Sequence, residues 1–169
     1  PKHHYDESVI FRHAKDGNLH FMLTEHFDQP DGLARYQRFT DDMVDLVLGH
    51  NGSLKAEHGT GRMMTPYLRR QYGDELYAVM RELKALFDPT GLLSRRVVLD
   101  DDPTAHLKHL KKTPAVDPEV DRCVECGYCE PVCPSRDLTT TPRQRIVLRR
   151  AWATAKAAGD LALAAQLEV

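Results

Sequence analysis

All four cysteines of this chain lie in one short run, RCVECGYCEPVCPSR, at residues 122–136. Their order, Cys123-x2-Cys126-x2-Cys129-x3-Cys133-Pro134, is a spacing that binds iron–sulfur clusters. Thiolates two residues apart can wrap one cluster because the backbone between them curls, which points the loop N–H groups at sulfur. Gly127 permits close approach, and Pro134 stops the run from continuing as a helix. A zinc site normally pairs two short knuckles, and a disulfide scaffold needs an oxidising compartment and a missing core. Zinc and structural thiols are therefore the alternatives to a cluster. In two-cluster proteins the fourth cysteine of such a run ligates the other cluster. Cys133 would then serve a second cluster whose remaining cysteines are absent here, so we expect half of a cluster module and a piece of a longer polypeptide.

A second set of chemistry-bearing residues is more dispersed. His13 and His20 flank the turn in HAKDGNLH, on strands whose neighbours approach within about 5 Å, so two imidazoles could share a metal. Glu57 and His58 sit among glycines in AEHG. Glu57 could complete a two-histidine, one-carboxylate site that leaves positions open for substrate or water, with His58 as a general base beside it. From spacing alone the metal reading is the weaker one, and the residues read first as two hairpin histidines and a solvated Glu-His pair. Arg62 ends GTGR, which offers two glycines and a cation to an anion. The other histidines, His106 and His109 included, are expected at the surface. The acidic groups TDDMVD and LDDDP lack the pattern of a calcium loop and read as helix-start and linker charge.

The elements that must hold these groups follow from periodicity. Residues 8–14 and 18–25 alternate as strands around Asp16-Gly17, which predicts a hairpin. Residues 31–49 repeat Tyr36, Phe39, Met43, Val44 and Val47 at helical spacing. After a glycine-rich stretch, Thr65-Pro66 opens a helix whose apolar stripe is Leu76, Val79, Met80, Leu83, Leu86 and Phe87, ended by the DPTG at 88–91. Residues 100–121 are polar and proline-containing, with room for a short helix. A last helix is expected from about Pro142 to the end of the chain.

Bulk composition narrows the functional classes. A net charge of −2 gives no electrostatic case for a nucleic-acid partner. Hydrophobic residues make up 41% and charged residues 28%, within the globular range, and no apolar run reaches the length of a membrane span. The chain starts without Met and stops inside an Ala/Leu-rich pattern, so both ends read as cut.

Two segments carry a resemblance. HAKDGNLHFML with GSLKAEHGTGRMMTPYLRRQYGDELYAVMRELKALFDPTGLL resembles the C-terminal domain of FAD-linked oxidases of the vanillyl-alcohol oxidase type, a group that includes D-lactate, glycolate and D-2-hydroxyglutarate dehydrogenases. CVECGYCEPVCPSRDLTTTPRQRIVLRR resembles the ferredoxin-type region fused behind that domain in bacterial D-lactate dehydrogenase-like proteins. The resemblance implies that an N-terminal domain binds most of the FAD while this part covers the flavin and binds substrate. It implies a divalent metal, zinc or manganese, on His13, His20 and Glu57, and His58 as the catalytic base. Asn18 and Arg62 would lie near substrate or flavin, and Cys123, Cys126, Cys129 and Cys133 would hold a 4Fe-4S cluster. It further implies a small 2-hydroxy acid as substrate, and a quinone or electron-transfer protein as acceptor. The remainder of the same polypeptide is expected as a partner. The location would be cytoplasmic, at the inner face of the membrane where quinone is the acceptor. Three positions depart from the family pattern. Met22 replaces an asparagine, Ser94-Arg95-Arg96 replaces Asn-Pro-Gly, and Arg12 replaces a small residue.

The expected architecture is α+β, an antiparallel sheet with helices on one face at residues 1–99. A linker at 100–119 and a mostly helical iron–sulfur segment at 120–169 follow. By itself such a chain is expected to bind FAD weakly and to lack activity. The alternative is a non-catalytic electron-transfer or subunit-interaction module in which the His/Glu set is structural.

Overall fold

Asp16-Gly17 turns the chain between two antiparallel strands, β1 (Ser8–His13) and β2 (Asn18–Leu23), with Ile10 opposite Phe21, Phe11 opposite His20 and His13 opposite Asn18. The N–H groups of Asp16 and Gly17 both donate to the His13 carbonyl, at 3.0 and 3.1 Å, and close the turn. The structure, a computed structural model, describes residues 2–5, 8–27, 29–55 and 59–168. It divides into two units, residues 1–110 and 111–169.

In the first unit, α1 (Pro30–Gly49) follows the hairpin. Gly32, Tyr36, Thr40 and Val44 recur every fourth residue and are its buried positions, in line with the helical periodicity of the sequence. Phe39, on the same side, meets the rings of His3, Tyr5 and Phe21 edge-on at 5.6, 5.3 and 6.4 Å. The helix therefore packs on the Phe21 face of the hairpin. The opposite face carries Phe11, His13, Asn18 and His20.

The start of α1 is pinned by a buried carboxylate. Glu25 accepts from Tyr5 Oη at 2.8 Å, from Arg35 Nε at 2.9 Å and Nη2 at 2.6 Å, and from the His26 N–H at 2.9 Å. Burial works to raise its pKa, but Arg35, Tyr5 and the His26 N–H together hold it below the ordinary carboxylate range. Burial and the same carboxylate push Tyr5 up to about 12. Gly32 is required beside this network, since a Cβ there would lie 2.1 Å from the His26 carbonyl oxygen.

A 3-10 turn at Thr65–Tyr67 leads into α2 (Leu68–Phe87), which is kinked at Gly73 (φ 76°). The expected stripe on α2 is only partly realised. Leu68 and Tyr77 are buried and Met80 and Lys84 half-buried, whereas Leu76, Val79, Leu83, Leu86 and Phe87 are exposed. The packed face is thus turned toward Tyr77, Met80 and Lys84, because Tyr77 reaches the Asp100 carbonyl (3.4 Å) and Lys84 pairs with Asp88 (2.6 Å). Asp88 then ends the helix by accepting from the Leu92 and Leu93 N–H groups at 2.8 and 2.9 Å.

Residues 100–110, read in the sequence as polar linker, belong to this first unit. A 3-10 turn at Ala105–Leu107 buries His106, which corrects its surface assignment. Tyr67 Oη donates to Asp41 Oδ1 (2.6 Å) and lies 3.2 Å from His106 Nε2. Asp41 and Asp42 sit in the middle of α1 rather than at its start, and Asp42 pairs with Lys2 at 2.6 Å and His3 at 2.7 Å.

The second unit begins with the short helix α3 (Pro118–Asp121), capped by Asp117, which accepts from the Glu119 N–H at 3.0 Å. The cysteine run comes next, then α4 (Pro142–Ala157) and α5 (Leu161–Gln166). Thr141 and Gln144 form a capping box at the start of α4. The single terminal helix expected from the sequence is broken at Gly159 (φ 76°), where Asp160 caps α5 through the Leu163 N–H. Among the described residues the chain is α+β, with two antiparallel strands and five α-helices. None of these helices is long and apolar enough to cross a membrane.

Candidate functional site

The hairpin places three of the predicted site residues together. His13 and His20 are diagonal neighbours on one face rather than direct cross-strand partners, because the turn puts Asn18 opposite His13. Their ring centroids are 5.0 Å apart, and His20 stacks on Phe11 at 4.9 Å. Asn18 Oδ1 accepts from the His13 backbone N–H at 3.1 Å, and its amide nitrogen lies 3.5 Å from His13 Nδ1. His13 is exposed while His20 and Asn18 are half-buried. Phe11 thus holds one imidazole flat, while Asn18 orients the other at the rim of the turn.

Two neutral imidazoles at this separation suit a shared divalent ion as far as two ligands go. Glu57 and His58 lie outside the described residues. Among the described residues no three His, Cys, Asp or Glu side chains converge on one point where an ion could sit. Arg62 is exposed in the turn after Gly61. That turn is held by the Gly61 carbonyl, which accepts from Thr65 Oγ1 at 2.9 Å and from the Val98 N–H at 3.3 Å. Val98 lies just after the Ser94-Arg95-Arg96 segment that departs from the family pattern, and Ser94, Arg96 and Val98 all have positive φ, at 42, 58 and 70°. Met22, another departure, is exposed and pairs with Val9 on the same hairpin face as the histidines.

The cysteine run is shaped by two left-handed residues, Glu125 (φ 58°) and Gly127 (φ 82°), one in each of the first two gaps between cysteines. Such reversals turn successive N–H groups toward one side, the arrangement that receives anions and iron–sulfur sites. The Glu125 N–H already points at Cys123 Sγ, at 3.4 Å. Cys133 Sγ lies 3.3 Å from Ser135 Oγ. That hydrogen bond, helped by the Ser135 backbone and by the Arg145 charge, holds the Cys133 thiol below its usual pKa and favours the ligating thiolate. All four cysteines are free; Cys126 is exposed and the other three half-buried. A four-iron cluster takes one thiolate on each iron, so its ligands need not converge as those of a single ion must. Cys123, Cys126 and Cys129 and the conformation of their loop fit such a cluster, with Cys133 the expected ligand of a second one.

Both carboxylates within the run are occupied. The Glu125 side chain is only 6% exposed and pairs with Lys111 and with Arg150 of α4 (2.6 Å). Those cations, Lys111 first, hold it below the carboxylate range against the effect of burial. Glu130 accepts from Arg143 Nε (2.9 Å) and Thr141 Oγ1 (3.0 Å). Sequence reasoning missed these partners. The only signal was Arg143 and Arg150 standing two turns apart in an α4 that contains no acidic residue.

The profile described as FAD linked oxidases, C-terminal domain, matches residues 2–98, and that described as 4Fe-4S dicluster domain matches residues 122–166. The chain belongs to the family of FAD linked oxidases, C-terminal domain, and continues into a 4Fe-4S dicluster domain. Glycolate oxidase subunit GlcD of Bacillus subtilis is 35% identical over 91 residues, covering 53% of this chain and 19% of that protein. Mitochondrial D-lactate dehydrogenase [cytochrome] of Kluyveromyces lactis is 31% identical over 94 residues, 56% of this chain and 16% of that protein. D-2-hydroxyglutarate dehydrogenase of Escherichia coli is 28% identical over 167 residues, 85% of this chain and 16% of that protein. The chain therefore spans less than a fifth of the length of these relatives. No solved structure matches.

Proposed function

We propose that this chain is part of a flavin- and iron–sulfur-dependent oxidoreductase that oxidises a small 2-hydroxy acid, D-lactate or a close analogue, to the 2-oxo acid. The observation that carries this reading is the pairing, in one chain, of the His13–Asn18–His20 face with a cysteine run shaped for a cluster. When bound, FAD supplies the hydride acceptor and the iron–sulfur clusters a one-electron path onward. His13, His20 and Glu57 would hold a divalent metal, which would supply Lewis-acid polarisation of the substrate, and His58 would take the hydroxyl proton. Asn18 keeps His13 oriented, and Arg62 offers a cation to substrate or flavin. Cys123, Cys126, Cys129 and Cys133 supply the cluster thiolates. The functional boundaries we assign are a flavin-capping domain at 1–99, a connection at 100–119 and a cluster segment at 120–169. Partners are a quinone or electron-transfer protein and the remainder of the same polypeptide. The location is cytoplasmic, at the inner membrane face where quinone is the acceptor.

The test uses the protein expressed from its complete gene, with a dye as electron acceptor and a panel of 2-hydroxy acids. Turnover should be lost in His13→Ala and restored in no buffer, while Cys126→Ser should keep flavin reduction and lose electron delivery. Unchanged turnover in His13→Ala would favour the electron-transfer module instead. No turnover with any acid would remove the dehydrogenase reading altogether.

A further inference from the structure

We propose that α4 is a clamp that holds the cysteine run in its ligating shape and sets the charge around its cluster, with Arg150 as the positioning residue. Arg150 is buried, unusual for an arginine, and its contacts all reach back to the run and the helix before it. Nη1 donates to Glu125 Oε1 at 2.6 Å, and Nη2 donates to the carbonyls of Cys123 (2.9 Å) and Val120 (3.2 Å). One guanidinium thus fixes the residues on both sides of the Cys123 side chain. Through Glu125 it also fixes the left-handed residue whose N–H points at Cys123 Sγ. Toward the start of the same helix, Arg143 and Thr141 repeat the device on Glu130, between Cys129 and Cys133. The two arginines are two turns apart and share a face, so a single rigid element sets the separation of both halves of the run.

Two further features point to an anionic group rather than to simple packing. Buried ion pairs rarely hold a fold better than apolar residues of the same size, so their use beside four thiol ligands calls for another reason. Lys111 and Arg150 carry two positive charges against the single negative charge of Glu125, which leaves net positive charge next to Cys123. In addition, Arg150 Nε is a buried donor with no hydrogen-bond acceptor among the described residues. A surplus of donors and positive charge suits a tetrathiolate cluster, which is anionic and becomes more so on reduction. The clamp therefore favours the reduced state as well as retention of the cluster. This inference rests on the cluster reading of the cysteine run.

The experiment compares four variants with the wild type, made from the complete gene and purified anaerobically. They are Arg150→Gln, Arg150→Lys, Glu125→Gln and Arg149→Gln, the last a control whose side chain lies over Trp152 at 4.2 Å on the same helix. The readings are iron and sulfide per chain, iron retention against a chelator, and the cluster reduction potential followed by paramagnetic resonance. Arg150→Gln should retain iron about 10-fold less well or worse, the usual cost of losing an outer partner of a metal site. Its potential should move negative, because a positive charge is removed. Glu125→Gln should move the potential positive, because a negative charge is removed. Arg150→Lys should recover the potential but not the retention, since an ammonium cannot span Glu125 and two carbonyls. Arg149→Gln should change neither. Opposite potential shifts support the clamp, and a purely structural role would not produce them. Where Arg150→Gln fails to fold, Glu125→Gln decides: a positive shift supports the proposal and no shift overturns it. An iron-loaded wild type whose Arg150 and Glu125 variants keep its retention and potential overturns this inference alone. A wild type without iron and sulfide overturns the cluster reading and the inference with it.

Discussion

Tyr67→Phe should loosen the segment around His106 by a calculable amount. The Tyr67 hydroxyl donates to Asp41 Oδ1 at 2.6 Å, so its oxygen is the acceptor for His106 Nε2–H at 3.2 Å. This assigns the proton of the neutral imidazole to Nε2 and leaves Nδ1 bare, in agreement with Nδ1 being buried without a partner among the described residues. Removing the hydroxyl strands a buried N–H donor, which costs about 1–3 kcal/mol. Local opening of the 3-10 turn at Ala105–Leu107 should then become about 5- to 150-fold more frequent, read as faster amide exchange of that segment by mass spectrometry. The same geometry fixes a pH dependence. A second proton must go to Nδ1, where nothing accepts it, so burial holds the His106 pKa below its ordinary value, against the pull of Asp41 and Asp102. A histidine with a depressed folded pKa contributes stability that is complete above the unfolded value near 6.5 and is lost as pH falls through that value toward the folded one. Exchange of the wild-type segment, corrected for the intrinsic rate, should therefore accelerate below about pH 6.5. In His106→Gln that acceleration should disappear. Equal protection in wild type and Tyr67→Phe, or a segment that tightens on acidification, would refute the assignment of the proton and the argument built on it.

Two other substitutions test separate joints of the fold. Gly32→Ala places a methyl group 2.1 Å from the His26 carbonyl oxygen, so the start of α1 must shift, and thermal unfolding should show a loss of about 1–3 kcal/mol from the first unit. Thr141→Ala removes the cap of α4 and a hydrogen bond to Glu130, and should lower the stability of the second unit by about 1 kcal/mol in urea unfolding, with Thr141→Ser recovering most of it.

The parts of this molecule that were legible in its sequence are those fixed by neighbours along the chain. Asp16-Gly17 specified the hairpin, the Tyr36–Val44 period specified α1, and Thr141-Pro142 with Gln144 marks the start of α4. The cysteine run was visible for the same reason, since its ligands are a few residues apart. Charged residues whose role depends on a distant partner were not visible. Glu25, Arg150 and His106 read as ordinary polar residues, and only the folded chain brings Arg35, Glu125 and Tyr67 to them. The α2 stripe misled because a helical period tells which residues share a face but not which face is covered. Tyr77 and Lys84 found partners in Asp100 and Asp88, and Leu83 and Leu86 were left outward. The histidine pair was placed on the correct strands, while its diagonal relation depended on the register set by the turn.

The dehydrogenase function is tested most directly by an anaerobic half-reaction with the protein expressed from its complete gene and loaded with FAD and iron–sulfur clusters. D-Lactate, glycolate and D-2-hydroxyglutarate are added in turn, with flavin absorbance and the paramagnetic signal of reduced clusters followed together. At least one acid should bleach the flavin, yield its 2-oxo acid in equal amount and bring up the cluster signal. A loaded protein whose flavin stays oxidised with every acid, or whose clusters stay silent after the flavin is reduced, would contradict that function.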